Sequence, residues 1–226
     1  MTEIKAVIFD LDGTLADSKE TIVELFQRLF TEFGFPTPTP ARILEIEQFG
    51  RRRIIELILP EEKRGDGELR ARMFERCGVL AREVLVKIKP AKGAGETLAW
   101  LKKRGVKVAL ATNRGSTTED LLRLLGLRGY FDAVVTSEHV RDPKPHPESL
   151  LLALERLGAK PGEALFVGDS GVDLEAGRAA GIKTVLLDKE LNELSELKRW
   201  FDGRKESSEK SGGKGKGSGA RAGKAR

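Results

Sequence analysis

Short apolar segments alternate with segments of helical character along most of the chain. The apolar segments, rich in Val, Leu or Ile, are residues 4–9, 106–111, 132–136, 164–168 and 183–187. Two of the segments between them, 94–105 and 147–158, end in glycine, as helix C-termini often do. Near-continuous apolar strands that alternate with helices are typical of a parallel sheet with both faces covered. The pattern therefore predicts an α/β fold with a parallel sheet.

Residues 17–87 interrupt this alternation. The apolar positions of one helix face recur there at a spacing of about 3.6 residues, namely Ile22, Leu25, Phe26, Leu29, Phe30 and Phe33. Three prolines within 36–40 end that helix, because proline cannot continue one. Further helices are expected around 41–48, 51–59 and 68–86, and the segment contains no convincing strand. The simplest interpretation is a helical insertion after the first strand.

The C-terminal segment differs in composition from the rest of the chain. Residues 203–226 hold eight Lys or Arg against two Glu, a net charge of +6, so the whole-chain charge of +5 leaves −1 for residues 1–202. The tail has almost no apolar residues and cannot bury enough surface to offset the entropy of ordering, so we expect it to be disordered. The nearly neutral remainder gives no electrostatic case for nucleic-acid binding, beyond nonspecific contact by the tail.

These divisions predict a core domain of residues 1–16 and 88–202, a helical domain of residues 17–87, and the basic tail. No apolar run approaches the roughly 18 residues that a membrane span requires. Cys77 is the only cysteine, which rules out an internal disulfide. We therefore expect a cytoplasmic protein, monomeric or dimeric, with no membrane partner.

Polar side chains follow four of the predicted strands, where each strand ends. They are Asp10 and Asp12 after the first strand, Thr112 and Asn113 after the second, Lys144 in the segment after the third, and Asp169, Ser170 and Asp173 after the fourth. In open parallel α/β sheets, ligands bind beyond the carboxyl ends of the strands. We therefore expect these side chains to meet at one edge of the sheet.

The carboxylates of this group predict a metal ion. Asp10, Asp12 and Asp169, with Asp173 as a fourth candidate, would repel one another in a partly desolvated crevice, so the cluster requires a cation. Oxygen ligands favour a hard ion, and a site with few carboxylates and room for water and phosphate favours Mg²⁺ over Ca²⁺. The metal ion and Lys144 would together attract a dianion.

Four motifs in this chain resemble the signature motifs of the haloacid dehalogenase (HAD) superfamily. They are FDLDGTLAD, LATNR, DPKP and FVGDSGVDLEAGRAAG, and they occur in the family's order at similar separations. The match covers most of residues 4–188, and the helical insertion is similar to the cap of many members. The sequence KPHPE around His146 is similar to the corresponding segment of phosphoglycolate phosphatases. The resemblance implies a HAD fold, a Rossmann-like parallel sheet core with a small α-helical cap domain.

The resemblance also implies a reaction. Asp10 would be the nucleophile that attacks phosphorus and forms an aspartyl-phosphate intermediate. Asp12 would protonate the leaving oxygen and later take a proton from the hydrolytic water. We expect the acid role to be supported by a raised pKa of Asp12, caused by neighbouring carboxylate charge.

The remaining motifs imply phosphoryl and metal contacts. Thr112 and the Asn113 backbone would donate hydrogen bonds to the phosphoryl oxygens, and Lys144 would neutralise their charge. Mg²⁺ would be held by the Asp10 and Asp169 carboxylates and by the main-chain carbonyl of Asp12. Asp173 would act through a coordinated water or as a support for these ligands.

Several of these residues also have a structural interpretation. Thr112 and Ser170 are residue types that cap helices, Asp173 would suit a helix N-terminus, and a single lysine such as Lys144 is most often a surface residue. For the motif aspartates, the presence of all four motifs in order favours catalysis.

The insertion is expected to set the substrate, because the core contacts only the phosphoryl group. We hypothesise that Gly50 lets an insertion loop approach the core and that Arg51 binds a substrate carboxylate; a solvated helix face explains this basic run equally well. The first choice of substrate is a small phosphorylated metabolite such as phosphoglycolate. The alternatives are a pyrophosphatase, nucleotidase, sugar-phosphate phosphatase or mutase of the same fold, or a non-catalytic binding module.

Overall fold

The strands of the protein form one large and one small sheet. The computed structural model describes residues 3–198 and 201. Its strands are β1 (Ala6–Phe9), β2 (Ala16–Asp17), β3 (Lys89–Pro90), β4 (Lys107–Ala111), β5 (Ala133–Val135), β6 (Ala164–Gly168) and β7 (Lys183–Leu186). Five of them form a sheet in the order β5-β4-β1-β6-β7, with every neighbouring pair parallel, and β2 pairs antiparallel with β3. The predicted parallel sheet is confirmed.

The helices fall into two groups along the chain. They are α1 (Lys19–Glu32), α2 (Pro40–Ile46), α3 (Arg51–Ile58), α4 (Glu61–Arg64), α5 (Gly67–Val84), α6 (Ala94–Lys103), α7 (Thr118–Leu124), α8 (Glu148–Leu157) and α9 (Gly171–Ala179). Short 3-10 turns span Leu85–Lys87, Arg128–Tyr130 and Pro161–Glu163. Helices α1 to α5 lie within the insertion, and α6 to α9 alternate with the strands of the large sheet.

Side-chain alternation along β1 explains why both faces of the sheet are covered. Val7 and Phe9 enter a core cluster with leucines of α6 and α7 on one face. Ala6 and Ile8 enter a second cluster with apolar residues of α8 and α9 on the other face. Because successive residues of a strand point to opposite faces, a strand buried on both faces reads as one continuous apolar run.

The register of the central strand places the site. Phe9 lies opposite Leu110 of β4 on one side and opposite Val167 of β6 on the other. The three strands therefore end at nearly the same level. The residues that follow them, starting with Asp10, Thr112 and Asp169, emerge together at the carboxyl edge.

The insertion has a hydrophobic core of its own. Apolar residues of α1, α2, α3 and α5 form a separate buried cluster that includes Phe26, Phe30 and Met73. The Phe30 and Phe35 rings meet edge to face, with centroids 6.1 Å apart. A separate core is what a helical cap requires, and the cap expected from the fold class is supported. The boundaries at 16/17 and 87/88 stay a prediction.

Side-chain caps define two of the helix starts in the insertion. The Thr39 hydroxyl accepts a hydrogen bond from the Arg42 amide at 3.2 Å, just ahead of Pro40 at the first helical position. The Asp66 carboxylate accepts one from the Leu69 amide at 2.9 Å. These bonds satisfy amides that have no partner within a helix.

Two short elements differ from the expectations. Helix α4 was not predicted, because four residues without a buried side chain carry no hydrophobic periodicity. Asp17 lies in a strand, although no strand was expected within 17–87; a two-residue pairing with Lys89 is too short to leave a sequence pattern. The predicted disorder of residues 203–226 falls outside the described residues. Within the described part, no helix has the length and apolar character needed to cross a lipid bilayer.

Close packing of α9 against β7 yields the first prediction. A Cβ at Gly177 would lie 1.8 Å from Thr184 Oγ1 and 3.1 Å from Thr184 Cβ. We expect Gly177→Ala to lower the free energy of unfolding by about 1–3 kcal/mol, because the added methyl group overpacks this contact. Thr184→Ala in the same background should recover part of the loss. Chemical denaturation measures both.

The matched control is Gly171→Ala in the same helix, where nothing lies within 4 Å of an added Cβ. Alanine favours a helix over glycine, so this variant should be at least as stable as the wild type. Equal stability of the two alanine variants would contradict the packing argument.

Candidate active site

A cavity of about 310 Å³ lies between the carboxyl edge of the sheet and the helices of the insertion. All nine site residues expected from the sequence line it, namely Asp10, Asp12, Gly50, Arg51, Thr112, Asn113, Lys144, Asp169 and Asp173. The convergence of distant segments expected from the strand ends is therefore present.

A buried lysine joins two buried carboxylates at the floor of the cavity. Lys144 Nζ donates to Asp10 Oδ1 at 2.7 Å and to Asp173 Oδ1 at 2.6 Å. The three residues are 4%, 7% and 1% exposed. Burial alone would lower the pKa of Lys144, but the two carboxylates outweigh it and raise that pKa. The surface-lysine interpretation of Lys144 is therefore wrong.

The two carboxylates respond differently to the same lysine. Burial raises the pKa of Asp10 well above its usual value, and the nearby charges of Asp173 and Asp169 add to the effect. Burial would also raise the pKa of Asp173, but the Lys144 charge and hydrogen bonds from Ser170 outweigh it and lower that pKa. Asp173 is thus the better-stabilised anion of the pair.

Asp173 is also part of the N-terminus of α9. Its amide donates to Ser170 Oγ at 3.2 Å, while its Oδ2 accepts from the Ser170 amide at 3.1 Å and from the Ser170 hydroxyl at 2.6 Å. This reciprocal arrangement is a capping box. The capping interpretations of Ser170 and Asp173 hold alongside their place in the cavity, because one carboxylate oxygen faces the helix and the other faces Lys144.

Asp169 is held by the turn that follows β1. Thr14 Oγ1 donates to Asp169 Oδ1 at 3.0 Å. Gly13 has φ +82°, and a Cβ there would lie 2.1 Å from Asp169 Oδ2, so both backbone conformation and space demand glycine. Burial and the Asp173 charge raise the pKa of Asp169 to about 6.

The carboxylates of Asp10, Asp169 and Asp173 fit a small divalent cation. Each offers an oxygen within 4.8 Å of the others. Both oxygens of Asp173 are engaged by Lys144 and Ser170, whereas Oδ2 of Asp10 and Oδ2 of Asp169 accept no hydrogen bond within the described residues. An all-oxygen donor set with two uncommitted carboxylate oxygens suits Mg²⁺.

Arg114, which the sequence analysis did not single out, pairs with Asp12. Arg114 Nε donates to Asp12 Oδ2 at 2.9 Å, and Nη2 donates to Asp12 Oδ1. Burial would raise the pKa of Asp12, but the guanidinium charge and hydrogen bonds outweigh it and lower that pKa. The expected raised pKa of Asp12 is therefore wrong for this arrangement. Arg114 follows Asn113 directly in LATNR, so its position was visible but its partner was not.

Asn113 connects the core to the insertion. Its Nδ2 donates to the main-chain carbonyls of Lys144 at 2.9 Å and Gln48 at 3.1 Å, and its Oδ1 accepts from the Lys144 amide at 2.9 Å. The side chain thus fixes the Lys144 loop. Thr112 Oγ1 accepts from the Arg114 amide at 3.1 Å, which leaves the hydroxyl proton available for another acceptor.

The insertion contributes residues from the segment between α2 and α3 and from the first turn of α3. A Cβ at Gly50 would lie 3.7 Å from the Asn113 carbonyl oxygen, an ordinary contact, so the close approach exists but does not itself require glycine. Arg51 lines the cavity, with its guanidinium carbon 5.7 Å from the centroid of the Phe74 ring. Glu47, another residue not singled out from the sequence, also lines the cavity, and burial raises its pKa to about 7.

The chain is similar to several known proteins, which are named as phosphatases or as a pyrophosphatase. The chain is 34% identical over 184 residues to a phosphoglycolate phosphatase of Aquifex aeolicus, covering 81% of this chain and 84% of the relative. It is 34% identical over 188 residues to an N-acetylmuramic acid 6-phosphate phosphatase of Pseudomonas aeruginosa, covering 80% of each. It is 34% identical over 193 residues to the pyrophosphatase PpaX of Halalkalibacterium halodurans, covering 82% of this chain and 84% of the relative.

A solved structure agrees with these relatives. A HAD-superfamily hydrolase of Geobacter sulfurreducens superposes with a TM-score of 0.73 at 34% identity, covering 87% of this chain and 99% of that chain. The family described as haloacid dehalogenase-like hydrolase matches residues 7–187. The resemblance inferred from four motifs is thereby confirmed, and the chain belongs to the haloacid dehalogenase-like hydrolase family.

Proposed function

We propose that the protein is a Mg²⁺-dependent phosphomonoester hydrolase that acts on a small phosphorylated metabolite through an aspartyl-phosphate on Asp10. The observation that carries this proposal is the buried Asp10 carboxylate, which Lys144 holds at 2.7 Å beside two further carboxylates in the cavity. The named activities of the relatives, which are phosphatases and a pyrophosphatase, support the same chemistry.

Asp10 is oriented for nucleophilic attack. One oxygen of the Asp10 carboxylate forms the bond to phosphorus while the bond from phosphorus to the leaving oxygen breaks, and Lys144 holds the carboxylate through Oδ1. Lys144 also offsets the negative charge of the incoming phosphoryl group, and the Thr112 hydroxyl and the backbone N–H of Asn113 donate to its oxygens. Asp10 and Asp169 would hold Mg²⁺, and its charge would reduce the repulsion between the carboxylates and the phosphoryl oxygens.

Asp12 accepts and donates the protons in the proposed reaction. The ionised state that Arg114 favours is the state that a general base needs to take a proton from the water that hydrolyses the aspartyl-phosphate. Acting earlier as an acid requires that Asp12 first gains a proton, and the bidentate Arg114 contact opposes this. The contact must therefore loosen when substrate binds.

We further propose that residues 17–87 act as a cap over a core of residues 1–16 and 88–202. The position of the cavity, between the sheet edge and the insertion, supports this division. A cap that closes on bound substrate would exclude water from the aspartyl-phosphate step. The relatives are named for three different substrates, so the leaving group needs separate evidence.

Replacement of the nucleophile tests the reaction. Asp10→Asn keeps the shape of the side chain and its oxygen near Lys144, but an amide does not attack phosphorus. We expect phosphate release from phosphomonoesters to fall by about three orders of magnitude or more, with an unchanged circular dichroism spectrum. The control is Asp17→Asn, an exposed position a few residues along, which should keep wild-type turnover. Wild-type-like turnover by Asp10→Asn would exclude the proposed nucleophile.

Metal dependence tests the role of the carboxylate cluster. A chelator should abolish activity and added Mg²⁺ should restore it. Asp169→Asn should raise the Mg²⁺ concentration needed for half-maximal activity at least about tenfold, because a charged ligand is lost. Asp142, His146 and Glu148 form a second set of side chains that could hold a metal ion, away from the cavity, and this set provides a matched control. Asp142→Asn should leave the Mg²⁺ requirement unchanged; equal shifts in both variants would count against the buried site.

A further inference from the structure

The cavity has two walls of different chemistry. The core wall carries the carboxylates, Lys144 and the other groups proposed to act on phosphorus. The wall formed by the insertion carries six apolar residues, namely Ile22, Leu25, Phe26, Phe49, Ile54 and Ala81. It also carries the polar residues Lys19, Glu47, Gln48 and Arg51, of which Glu47 contributes a carboxylate and Arg51 a guanidinium. If the phosphoryl group lies at the core wall, the leaving group meets these residues.

Glu47 is an acceptor that lacks a donor. No described residue forms a hydrogen bond or an ion pair with its carboxylate. Lys19 is the cation whose charge acts on it, but it forms no ion pair with Glu47 among the described residues, while the charges of Asp169 and Asp12 oppose ionisation. A partly buried carboxylate without a partner carries an uncompensated desolvation cost.

One nitrogen of the Arg51 guanidinium lacks an acceptor. Its Nη1 is buried and has no hydrogen-bond partner within the described residues. The Phe74 ring lies beside the guanidinium, with its centroid 5.7 Å from the guanidinium carbon, and the Cys77 side chain also interacts with Arg51. A buried N–H group without an acceptor is unfavourable, and a ligand that supplies one gains the corresponding free energy.

The two unsatisfied residues discriminate among classes of leaving group. A carboxylate or a second phosphate group only accepts hydrogen bonds, so it satisfies Arg51 and places negative charge near Glu47. An ammonium group only donates, so it satisfies Glu47 alone. Hydroxyl groups both donate and accept. A leaving group with several hydroxyls therefore satisfies both residues with a single kind of functional group.

We propose, on the basis of the function proposed above, that the substrate is a sugar or polyol phosphate whose hydroxyls donate to Glu47 and accept from Arg51. The apolar wall suits such a molecule, because the C–H faces of a sugar ring pack against Phe26 and Phe49 while its hydroxyls reach the two polar residues. Phosphoglycolate and pyrophosphate would satisfy Arg51 only. Glu47 is then a specificity-determining residue.

Substrate selectivity tests this inference. The ratios of kcat/KM are measured for a hexose 6-phosphate, phosphoglycolate, pyrophosphate and p-nitrophenyl phosphate. The wild type should prefer the hexose phosphate to phosphoglycolate and to pyrophosphate by about tenfold or more. Glu47→Ala should lower the ratio of hexose phosphate to p-nitrophenyl phosphate at least about tenfold, and Glu47→Gln, which keeps an acceptor oxygen, should lower it less.

The matched control is Glu45→Ala, two residues away. Glu45 is exposed, pairs with Arg42 at 2.7 Å and does not line the cavity, so this variant should keep wild-type selectivity. Hydrolysis of p-nitrophenyl phosphate or phosphoglycolate without a preference for the hexose phosphate would overturn the substrate class and leave the proposed function standing. Unchanged selectivity in Glu47→Ala would do the same. Absence of Mg²⁺-dependent hydrolysis of all four compounds would overturn both proposals.

Discussion

The ion pairs that join Lys144 to Asp10 and Asp173 are the constraint on which the rest of the site depends. Three buried charges share two short contacts, and loss of the lysine would leave two buried carboxylates without a cation. Removing one partner of a buried ion pair typically costs about 3–5 kcal/mol. The surrounding structure is accordingly arranged to hold Lys144 in place: Asn113 bonds both the amide and the carbonyl of that residue.

The order of the strands brings this triad together. In the order β5-β4-β1-β6-β7, the segments that follow β5, β1 and β6 carry Lys144, Asp10 and Asp173, and they open at one edge of the sheet. The strands bring only apolar residues to the core, and the polar groups follow each strand's last residue. A shift of one residue in the β1 pairing would turn Phe9 out of its cluster, so hydrophobic burial fixes the register that places Asp10.

The difference between position along the chain and contacts between loops explains what the sequence could and could not predict. The sheet, the insertion helices and the cavity residues follow from periodicity, strand ends and the family motifs, all of which are properties of position along the chain. The bidentate contact between Arg114 and Asp12 depends on how two loops face each other across the edge, and no spacing encodes it. For the same reason the pKa of Asp12 was predicted in the wrong direction. Glu47 was missed because it lies in a loop of the insertion, outside any motif.

Asp12 and Glu47 are both desolvated, but their pKa values shift in opposite directions. Burial would raise the pKa of both carboxylates, yet Arg114 lowers that of Asp12, whereas the pKa of Glu47 rises to about 7 because no described residue pairs with it. In the core, Lys144 pairs with Asp10 and Asp173, and Arg114 pairs with Asp12. On the wall formed by the insertion, the Glu47 carboxylate pairs with no described residue, and Arg51 Nη1 is buried without an acceptor among the described residues. Hydrogen-bond partners that the chain does not supply must come from water or from a ligand. A ligand that supplies both a donor and an acceptor is favoured over one that supplies either alone, and its remaining surface replaces water on the apolar wall.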